Sequence, residues 1–221
     1  MRRSKPSGVT IARALRIGPG IANDDLREVV GAIERVHGDG DLPAIRLSLA
    51  TDIIDPMGRT LDGLFAAERD RHGELFPRSI RIRINAPHRG FVVLHEIGHF
   101  VDAAGLPGAG YSSEWHRALT PWRRAIRRSQ AFRELARLGA AVDPVTAARA
   151  TSLLEPTELW ARSYAQFVAG RSDSMILAES LATFRRQIGS SVYLPRQWDD
   201  DDFGAIDTAI EILFRDLGWM I

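Results

Sequence analysis

Hydrophobic and polar residues alternate in two short segments in the first half of the chain. In residues 44–50, isoleucine and leucine are separated by arginine and serine, and in residues 79–85 isoleucine alternates with arginine. Alternation with a period of two predicts β-strands that have one buried face. Residues 51–63 are rich in turn-forming residues, and residues 61–73 fit either a strand or a short helix. The edge of the 79–85 strand is expected to be able to bind an extended peptide.

Apolar residues recur with the 3.6-residue spacing of helices in most of the remaining chain. Residues that cap or break helices, such as asparagine, aspartate, proline and glycine, limit these segments. Helices are therefore predicted over residues 23–38, 120–138 (as one helix or two), 156–170, 173–191 (in whole or after a loop) and 199–218.

The strand at 79–85 leads into a further helix, which carries the motif HEIGH, His95–His99. Residues four apart lie on one face of a helix, so His95 and His99 can both offer a ring nitrogen to one Zn²⁺ ion. Glu96 would lie beside the metal and accept a proton from water as general base. The alternative is a pair of core histidines, but three buried polar groups on one helical turn need a common partner.

The ends of the HEIGH helix are also marked in the sequence. Asn85 is followed by alanine and proline, which is typical of a capped helix start. Gly105, followed by leucine and proline, is typical of a helix that ends in a left-handed conformation. The residues between are mainly apolar, so the helix is expected to be buried.

A zinc site with two histidines needs a third protein ligand and an open position for water. Glu158, in the first turn of the helix over 156–170, is the preferred third ligand. Glu155 is an alternative, although it precedes a proline and is biased away from helical geometry; His116 is another. Glu158 could instead only counter the helix dipole. Ala161 and Ala165 on the same helix would allow a second helix to approach closely.

Asp102 lies three residues after His99, on or beside the metal face of the HEIGH helix. Histidines that bind a metal usually donate their second N–H group to a carboxylate or carbonyl. Asp102 could accept that hydrogen bond. A surface carboxylate and a hydrogen bond between helices are equally good interpretations.

Together these elements predict an α+β fold. A small, mainly antiparallel sheet would pack against the HExxH helix and the glutamate helix, and the C-terminal half would be largely helical. Residues 1–22 are basic and are expected to form a flexible N-terminus. Residues 23–221 contain neither an internal repeat nor a low-complexity linker, which favours a single domain.

Composition narrows the chemistry and the location. The chain has no cysteine, which excludes disulfides, thiolate zinc sites and a cysteine nucleophile. We find no apolar run long enough for a signal peptide or a membrane span, so a cytoplasmic protein without membrane contact is expected. The net charge of +1 favours no particular partner.

Charge is nevertheless uneven along the chain. Residues Arg117–Arg137 include seven arginines against one acid, Glu134. This segment could bind nucleic acid, but it lacks a base-reading motif, and a solvated helix face is the preferred interpretation. The four aspartates at 199–202 are better explained as the acidic first turn of a helix than as a calcium site.

HEIGH and the later stretch ELWARSYAQF, Glu158–Phe167, resemble the gluzincin group of zincin metallopeptidases. HEIGHFVD is similar to the small peptidase domains related to anthrax lethal factor. The ExxAxxYA pattern is also similar to the ImmA/IrrE peptidase module and to small metallopeptidases of phages and mobile elements. The resemblance covers residues 79–170. It implies that His95, His99 and Glu158 bind zinc and that Glu96 is the catalytic base.

The chain departs from these families in three respects. Lethal-factor-like enzymes have a tyrosine two turns before the ligand glutamate, where this chain has Thr151. Tyr111, Tyr164 and Tyr193 remain as residues that could stabilise an oxyanion, and Tyr193, before the last helix, is the first choice. No helix-turn-helix of the ImmA/IrrE kind is recognisable, and neither family explains the arginine-rich insertion.

The sequence thus predicts a zinc-dependent metalloendopeptidase that hydrolyses peptide bonds in a protein or peptide substrate and holds a single zinc ion per chain. The alternative is a zinc-containing interaction or regulatory protein without turnover, built on a peptidase fold and encoded by a phage or mobile element. Cleavage specificity and oligomeric state do not follow from the sequence.

Overall fold

The computed structural model describes residues 11–19, 23–38, 42–56, 58–141, 143–186 and 195–220. Its sheet has four strands in the order β1-β2-β4-β3. The strands are β1 (Leu15–Ile17), β2 (Ile45–Ala50), β3 (Gly63–Arg69) and β4 (Leu75–Arg83). The helices described are α1 (Ile11–Ala14), α2 (Asp24–Val36), α3 (Arg89–Ala104), α4 (Ser112–Trp115), α5 (Thr120–Arg128), α6 (Gln130–Ala141), α7 (Pro144–Leu153), α8 (Pro156–Arg171), α9 (Met175–Arg186) and α10 (Asp200–Asp216), with a short 3₁₀ helix at Arg117–Leu119.

The predicted α+β class and the largely helical C-terminal half are confirmed. The sheet is mixed, however, and not mainly antiparallel. β1 pairs with β2 and β2 with β4 in parallel, and only β3 and β4 are antiparallel. The physical reason is the crossover through α2, which returns the chain between β1 and β2 so that both strands run in the same direction.

The N-terminal segment differs from the prediction. Residues 11–17, which were expected to belong to a flexible terminus over 1–22, form α1 and the edge strand β1. Ile11 and Leu15 are buried in the core, and Leu15 pairs with Ile45. The basic composition of the segment concealed the apolar residues Ile11, Ala14 and Leu15, which are buried.

β4, the strand predicted from alternating isoleucine and arginine, lies inside the sheet. β2 and β3 occupy its two sides, so the expectation that its edge binds a peptide is wrong. β3 is the edge strand on this side of the sheet, which settles the ambiguity of residues 61–73 in favour of a strand. Its ladder with β4 has an irregularity between Ala66 and Ala67.

α3 carries HEIGH, and it begins and ends differently from the prediction. The helix starts at Arg89 after His88, which has a left-handed φ of 52°. Pro87 disfavours helical geometry at Ala86, so the helix cannot begin directly after Asn85. Asn85 lies in a turn and does not cap the helix. Gly105 is right-handed, not left-handed, with φ −102° and ψ −35°. A Cβ atom there would lie 3.0 Å from Leu42 and Trp219, so close packing favours glycine at this position.

The C-terminal helices follow the predicted amphipathic pattern. Ser129 separates α5 from α6, so the 120–138 segment forms two helices. Their arginines are mostly exposed, whereas the buried side chains are Trp122, Ile126, Leu135 and Leu138. α10 begins with acidic residues, as predicted, and Asp202 accepts hydrogen bonds from the first backbone amides of α6. Among the helices of the described ranges, none has both the length and the apolar character needed to cross a membrane.

Candidate metal centre

Two small residues bring α3 and α8 into close contact. A Cβ atom at Gly98 of HEIGH would lie 2.8 Å from Cα of Ala161, so a larger residue cannot fit without moving a backbone. Trp160 reinforces the contact by donating from its indole nitrogen to the carbonyl of Gly98 at 3.1 Å. The predicted role of Ala161 in close helix packing is confirmed. His95 precedes Gly98 by three residues and Glu158 precedes Ala161 by three, so both lie one turn from the point of contact.

His95, His99 and Glu158 form a group that could hold a metal ion, with one ligand atom from each lying within 4.8 Å of the others. Nε2 of His95 and Nε2 of His99 are 3.2 Å apart. The distance to Glu158 is 3.5 Å from Nε2 of His95 to Oε2, and 3.4 Å from Nε2 of His99 to Oε1. All three residues are half-buried.

These separations match the size of a zinc site. Zinc lies about 2.0–2.2 Å from nitrogen and oxygen ligands, and a tetrahedron of that size separates its ligand atoms by about 3.3 Å. The nitrogen–nitrogen separation of 3.2 Å is close to this value, and so are the separations of 3.4 and 3.5 Å from the two histidines to different oxygens of the Glu158 carboxylate. The set of two imidazoles and one carboxylate leaves a fourth position for water or substrate, as catalytic zinc sites do.

The charges of the group are strongly coupled. Burial alone would raise the pKa of Glu158, but its attraction to His95 and its hydrogen bonds with both histidines hold the pKa well below its ordinary value. Burial opposes the charged form of His95, and the attraction of Glu158 outweighs it, so the pKa of His95 is raised. Without a metal, the same geometry describes an ion pair, and metal analysis separates the two interpretations.

Glu96 lies next to this group but points towards β3. Its side chain is 7% exposed, and Oε2 accepts a hydrogen bond from the backbone N–H of Phe65 at 2.6 Å. A Cβ atom at Gly63 would lie 2.6 Å from Oε1, so glycine is needed there for the strand to pass. Burial raises the pKa of Glu96, although attraction to His95 and His99 lowers it in part. A buried carboxylate with a raised pKa is suited to taking and returning a proton.

A cavity of about 690 Å³ opens onto these residues. Its wall includes both histidines, the two glutamates and the edge strand from Gly63 to Phe65. The volume is in the range of pockets that hold small ligands or a few residues of a peptide. The metal group therefore faces a space that a substrate can enter.

The three tyrosines considered from the sequence have different positions. Tyr111 is half-buried and lines the cavity. Tyr164 is fully buried, and its hydroxyl lies 3.0 Å from Nε2 of His37, away from the cavity. Tyr193, the first choice from the sequence, lies outside the described residues. Thr151, which stands where the lethal-factor-like enzymes have tyrosine, is exposed and is not part of the cavity wall.

The alternative ligands do not join the metal group. Glu155 is exposed at the start of α8, and a ring nitrogen of His116 accepts from the N–H of Ala118 at 3.3 Å. Asp102 is fully buried and accepts from the N–H and hydroxyl of Ser113 at 2.7 and 2.5 Å. Asp102 thereby joins α3 to α4. Of the interpretations that the sequence allowed, the hydrogen bond between helices is the one observed, and Asp102 does not accept a hydrogen bond from a histidine.

Sequence reasoning missed Arg162, which lies one turn after Glu158. Arg162 is 3% exposed and donates to the carbonyls of Arg196 at 2.6 Å, Leu153 at 3.1 Å and Pro195 at 2.9 Å. Burial lowers its pKa to about 10, and Glu158 attracts it. The sequence offers one signal for the burial of Arg162. It lies inside ELWARSYAQF, where most of its neighbours are the apolar and small residues of a buried helix.

The arginine-rich segment Arg117–Arg137 lies apart from this site. None of its residues lines the cavity described above. Within it, Arg123 donates to the carbonyls of Ser113 and His116, and Arg137 pairs with Glu134. A nucleic-acid role for this surface stays a prediction.

Comparison of the chain with protein-family models, with curated proteins and with solved structures finds no match. The gluzincin resemblance therefore stays a prediction from the two motifs. The geometry of the site shows that His95, His99 and Glu158 could hold a metal ion.

Proposed function

We propose that this protein is a zinc-dependent metalloendopeptidase. The observation that carries the proposal is the triangle of His95, His99 and Glu158 with Glu96 beside it, on the wall of an open cavity. A structural metal site usually has four protein ligands and does not need a buried acid next to it. A hydrolytic site needs three ligands, an open position and a base.

The donor atoms favour zinc over calcium and magnesium. Two imidazoles and one carboxylate are a ligand set of catalytic zinc, whereas calcium and magnesium prefer oxygen ligands alone. When bound here, a zinc ion would polarise the scissile carbonyl and lower the pKa of the attacking water. Glu158 is ionised by its contact with the histidines and so is ready to act as a ligand.

Glu96 moves the protons in the proposed reaction. It accepts one proton from the attacking water as the oxygen bonds to the scissile carbonyl carbon. It then returns that proton to the departing amine as the carbon–nitrogen bond breaks, which conserves protons over the cycle. The N–H of Phe65, at 2.6 Å, fixes the direction of the carboxylate.

β3 is the element that would hold the peptide. Within the described sheet it pairs only with β4, and Gly63 to Phe65 line the cavity. The N–H of Phe65 is bound by Glu96, so a peptide would use the other main-chain groups of this edge. An extended peptide can bind such an edge through main-chain hydrogen bonds. Tyr111 would donate its hydroxyl to the oxyanion, because it lines the cavity that contains the metal group.

The competing proposal is a zinc-containing interaction protein without turnover, such as a phage or mobile-element module. The Glu96→Gln variant distinguishes the peptidase from the interaction protein. Its metal content is measured by mass spectrometry, and its cleavage is measured on a fluorogenic peptide library. We expect the variant to keep zinc and to lose cleavage by about a hundredfold to ten-thousandfold.

Glu155→Gln, at an exposed position outside the site, is the matched control and should cleave like the wild type. Cleavage by Glu96→Gln at the wild-type rate would exclude Glu96 as the base. A wild-type protein that holds zinc but cleaves no library member would favour the interaction protein.

A further inference from the structure

Two arginines lie on the wall of the cavity that contains the metal group. Arg149 lies on α7 and is exposed, and Arg196 precedes α10 and is half-buried; both line the cavity that contains the metal group. Neither side chain makes a hydrogen bond or ion pair with any of the residues that the structure describes. Arg59, by contrast, lines the same cavity and is paired with Asp55 at 2.6 Å.

Arg149 and Arg196 are close enough to repel each other. Burial, and then the charge of Arg149, lower the pKa of Arg196. Asp62 attracts Arg196 from a distance, but its carboxylate forms an ion pair with Arg83. Although Asp62 lines the same cavity, neither guanidinium forms an ion pair with a described acid. Two such groups in one cavity attract an anion, because guanidinium binds carboxylates through paired hydrogen bonds.

Arg162 fixes the position of this pair relative to the metal group. Its guanidinium holds the carbonyl of Leu153, at the end of α7, and the carbonyls of Pro195 and Arg196. Arg149 is one turn before Leu153, so both arginine-bearing segments are tied to α8, the helix that carries Glu158. The backbone segments that carry the two arginines are therefore fixed relative to the helix that carries Glu158.

We propose that Arg149 and Arg196 form a subsite for a carboxylate of the bound peptide, and that this subsite selects the substrate. The inference rests on the proposed function, since it takes the cavity to be the peptide-binding cleft. The carboxylate can come from an aspartate or glutamate side chain or from the C-terminus of the peptide. Gln or Asn in the same place would leave both cations without a counter-ion.

Binding measured without turnover tests the subsite independently of catalysis. The protein used is Glu96→Gln with zinc added, and the probes are labelled decapeptides in which one glutamate is moved through all positions, each compared with its glutamine counterpart. Every pair is made with a free and with an amidated C-terminus. Fluorescence anisotropy gives the affinities.

We expect glutamate at one position, or a free C-terminus, to bind about tenfold tighter than its neutral counterpart, which is typical of one charge-assisted contact. Arg149→Gln and Arg196→Gln, each made in the Glu96→Gln protein, should remove this preference. Arg124→Gln, at an exposed arginine of α5 outside the cavity, should keep it. Unchanged thermal unfolding of the exposed variant Arg149→Gln shows that the fold is intact.

The two carboxylate sources are distinguished by the amide. A preference that survives amidation comes from a side chain, and one that amidation removes comes from the chain end; either supports the subsite. Equal affinity of acidic and neutral peptides at all positions, or a preference that survives both arginine changes, would overturn it. Failure of the wild-type protein to cleave the tightest-binding peptide would instead count against the proposed peptidase and leave the subsite standing.

Discussion

Asp102 and Glu158 are carboxyl groups on neighbouring helices, and their pKa values are shifted in opposite directions. Asp102 is fully buried and is bound by the neutral donors of Ser113, so burial dominates and raises its pKa to about 7. Glu158 is half-buried, and its histidine contacts hold its pKa well below the ordinary value. The direction of the pKa shift therefore distinguishes Asp102, which joins two helices, from Glu158, which is kept ionised.

The partners of the two groups differ in the same way. Asp102 and Ser113 satisfy each other inside the core, away from the cavity. His95, His99 and Glu158 face one another across 3.2–3.5 Å, and in the described part of the chain their side chains have no other hydrogen-bond or ion-pair partner. Buried polar groups that have no partner beyond their own cluster, and that open onto a cavity, indicate a site for a ligand.

The largest expected effect is the loss of metal on removal of Glu158. Glu158→Ala should weaken zinc binding by more than about a hundredfold, since even residues that only support a ligand are worth ten- to a hundredfold. A competition titration with a zinc chelator measures the affinity. Glu155→Ala, three residues away and exposed, should bind zinc normally. Zinc loss in the control but not in Glu158→Ala would reverse the assignment of the third ligand.

Asp102 should influence stability and its pH dependence but not the metal. Its folded-state pKa is about 7 and the ordinary value is 3.8, so the folded protein binds more protons between these values. The contribution of Asp102 to stability is therefore fully present below about pH 4 and is lost as the pH rises towards 7, by at most about 4 kcal/mol.

Asp102→Asn removes this titration. The difference in unfolding free energy between wild type and variant, measured in urea at several pH values, should become more favourable to the variant as the pH rises from 4 to 7. His37, whose pKa burial lowers to about 4, titrates alike in both proteins and cancels. Zinc affinity should be unchanged. A variant that keeps the wild-type pH profile but loses zinc would make Asp102 a supporting residue of the site after all.

The smallest expected effect tests the contact that brings the two helices together. Gly98→Ala places a Cβ atom 2.8 Å from Cα of Ala161 and should destabilise the fold by about 1–3 kcal/mol. Zinc binding should weaken with it, because His95 and Glu158 move apart.

The control for this change is Gly204→Ala, in α10, where a Cβ atom would meet nothing within 4 Å. It should stabilise the protein by about 0.5–1 kcal/mol through helix propensity alone. Urea unfolding and zinc titration of both variants give the comparison. If Gly98→Ala behaves like Gly204→Ala, the close approach of α3 and α8 does not set the geometry of the site.

The parts of the site that were predictable depend on local geometry. The spacing of His95 and His99 follows from the helical repeat, and Glu158 follows from the need for a third ligand in the first turn of a later helix. The exposed arginine face and most of the longer helices also follow from periodicity along the chain, whereas α7 was not predicted. These features require no knowledge of which segments meet.

The parts that were missed depend on contacts between distant segments. The alternation in β4 indicated a strand but not that β2 and β3 flank it, so an edge position was assigned to a strand that lies inside the sheet. The apolar residues 11–17 were concealed by basic neighbours. Arg149 and Arg196 are unremarkable in an arginine-rich sequence until the fold brings them to one cavity.

The contact between Gly63 and Glu96 limits which substitutions either position can accept. Because a Cβ atom there would overlap Glu96, any substitution at Gly63 must be accompanied by movement of the candidate base. Change in specificity can therefore accumulate at neighbouring cavity residues such as Leu64 and Arg149 while Gly63 stays fixed. In relatives of this chain that keep Glu96, we expect position 63 to remain glycine.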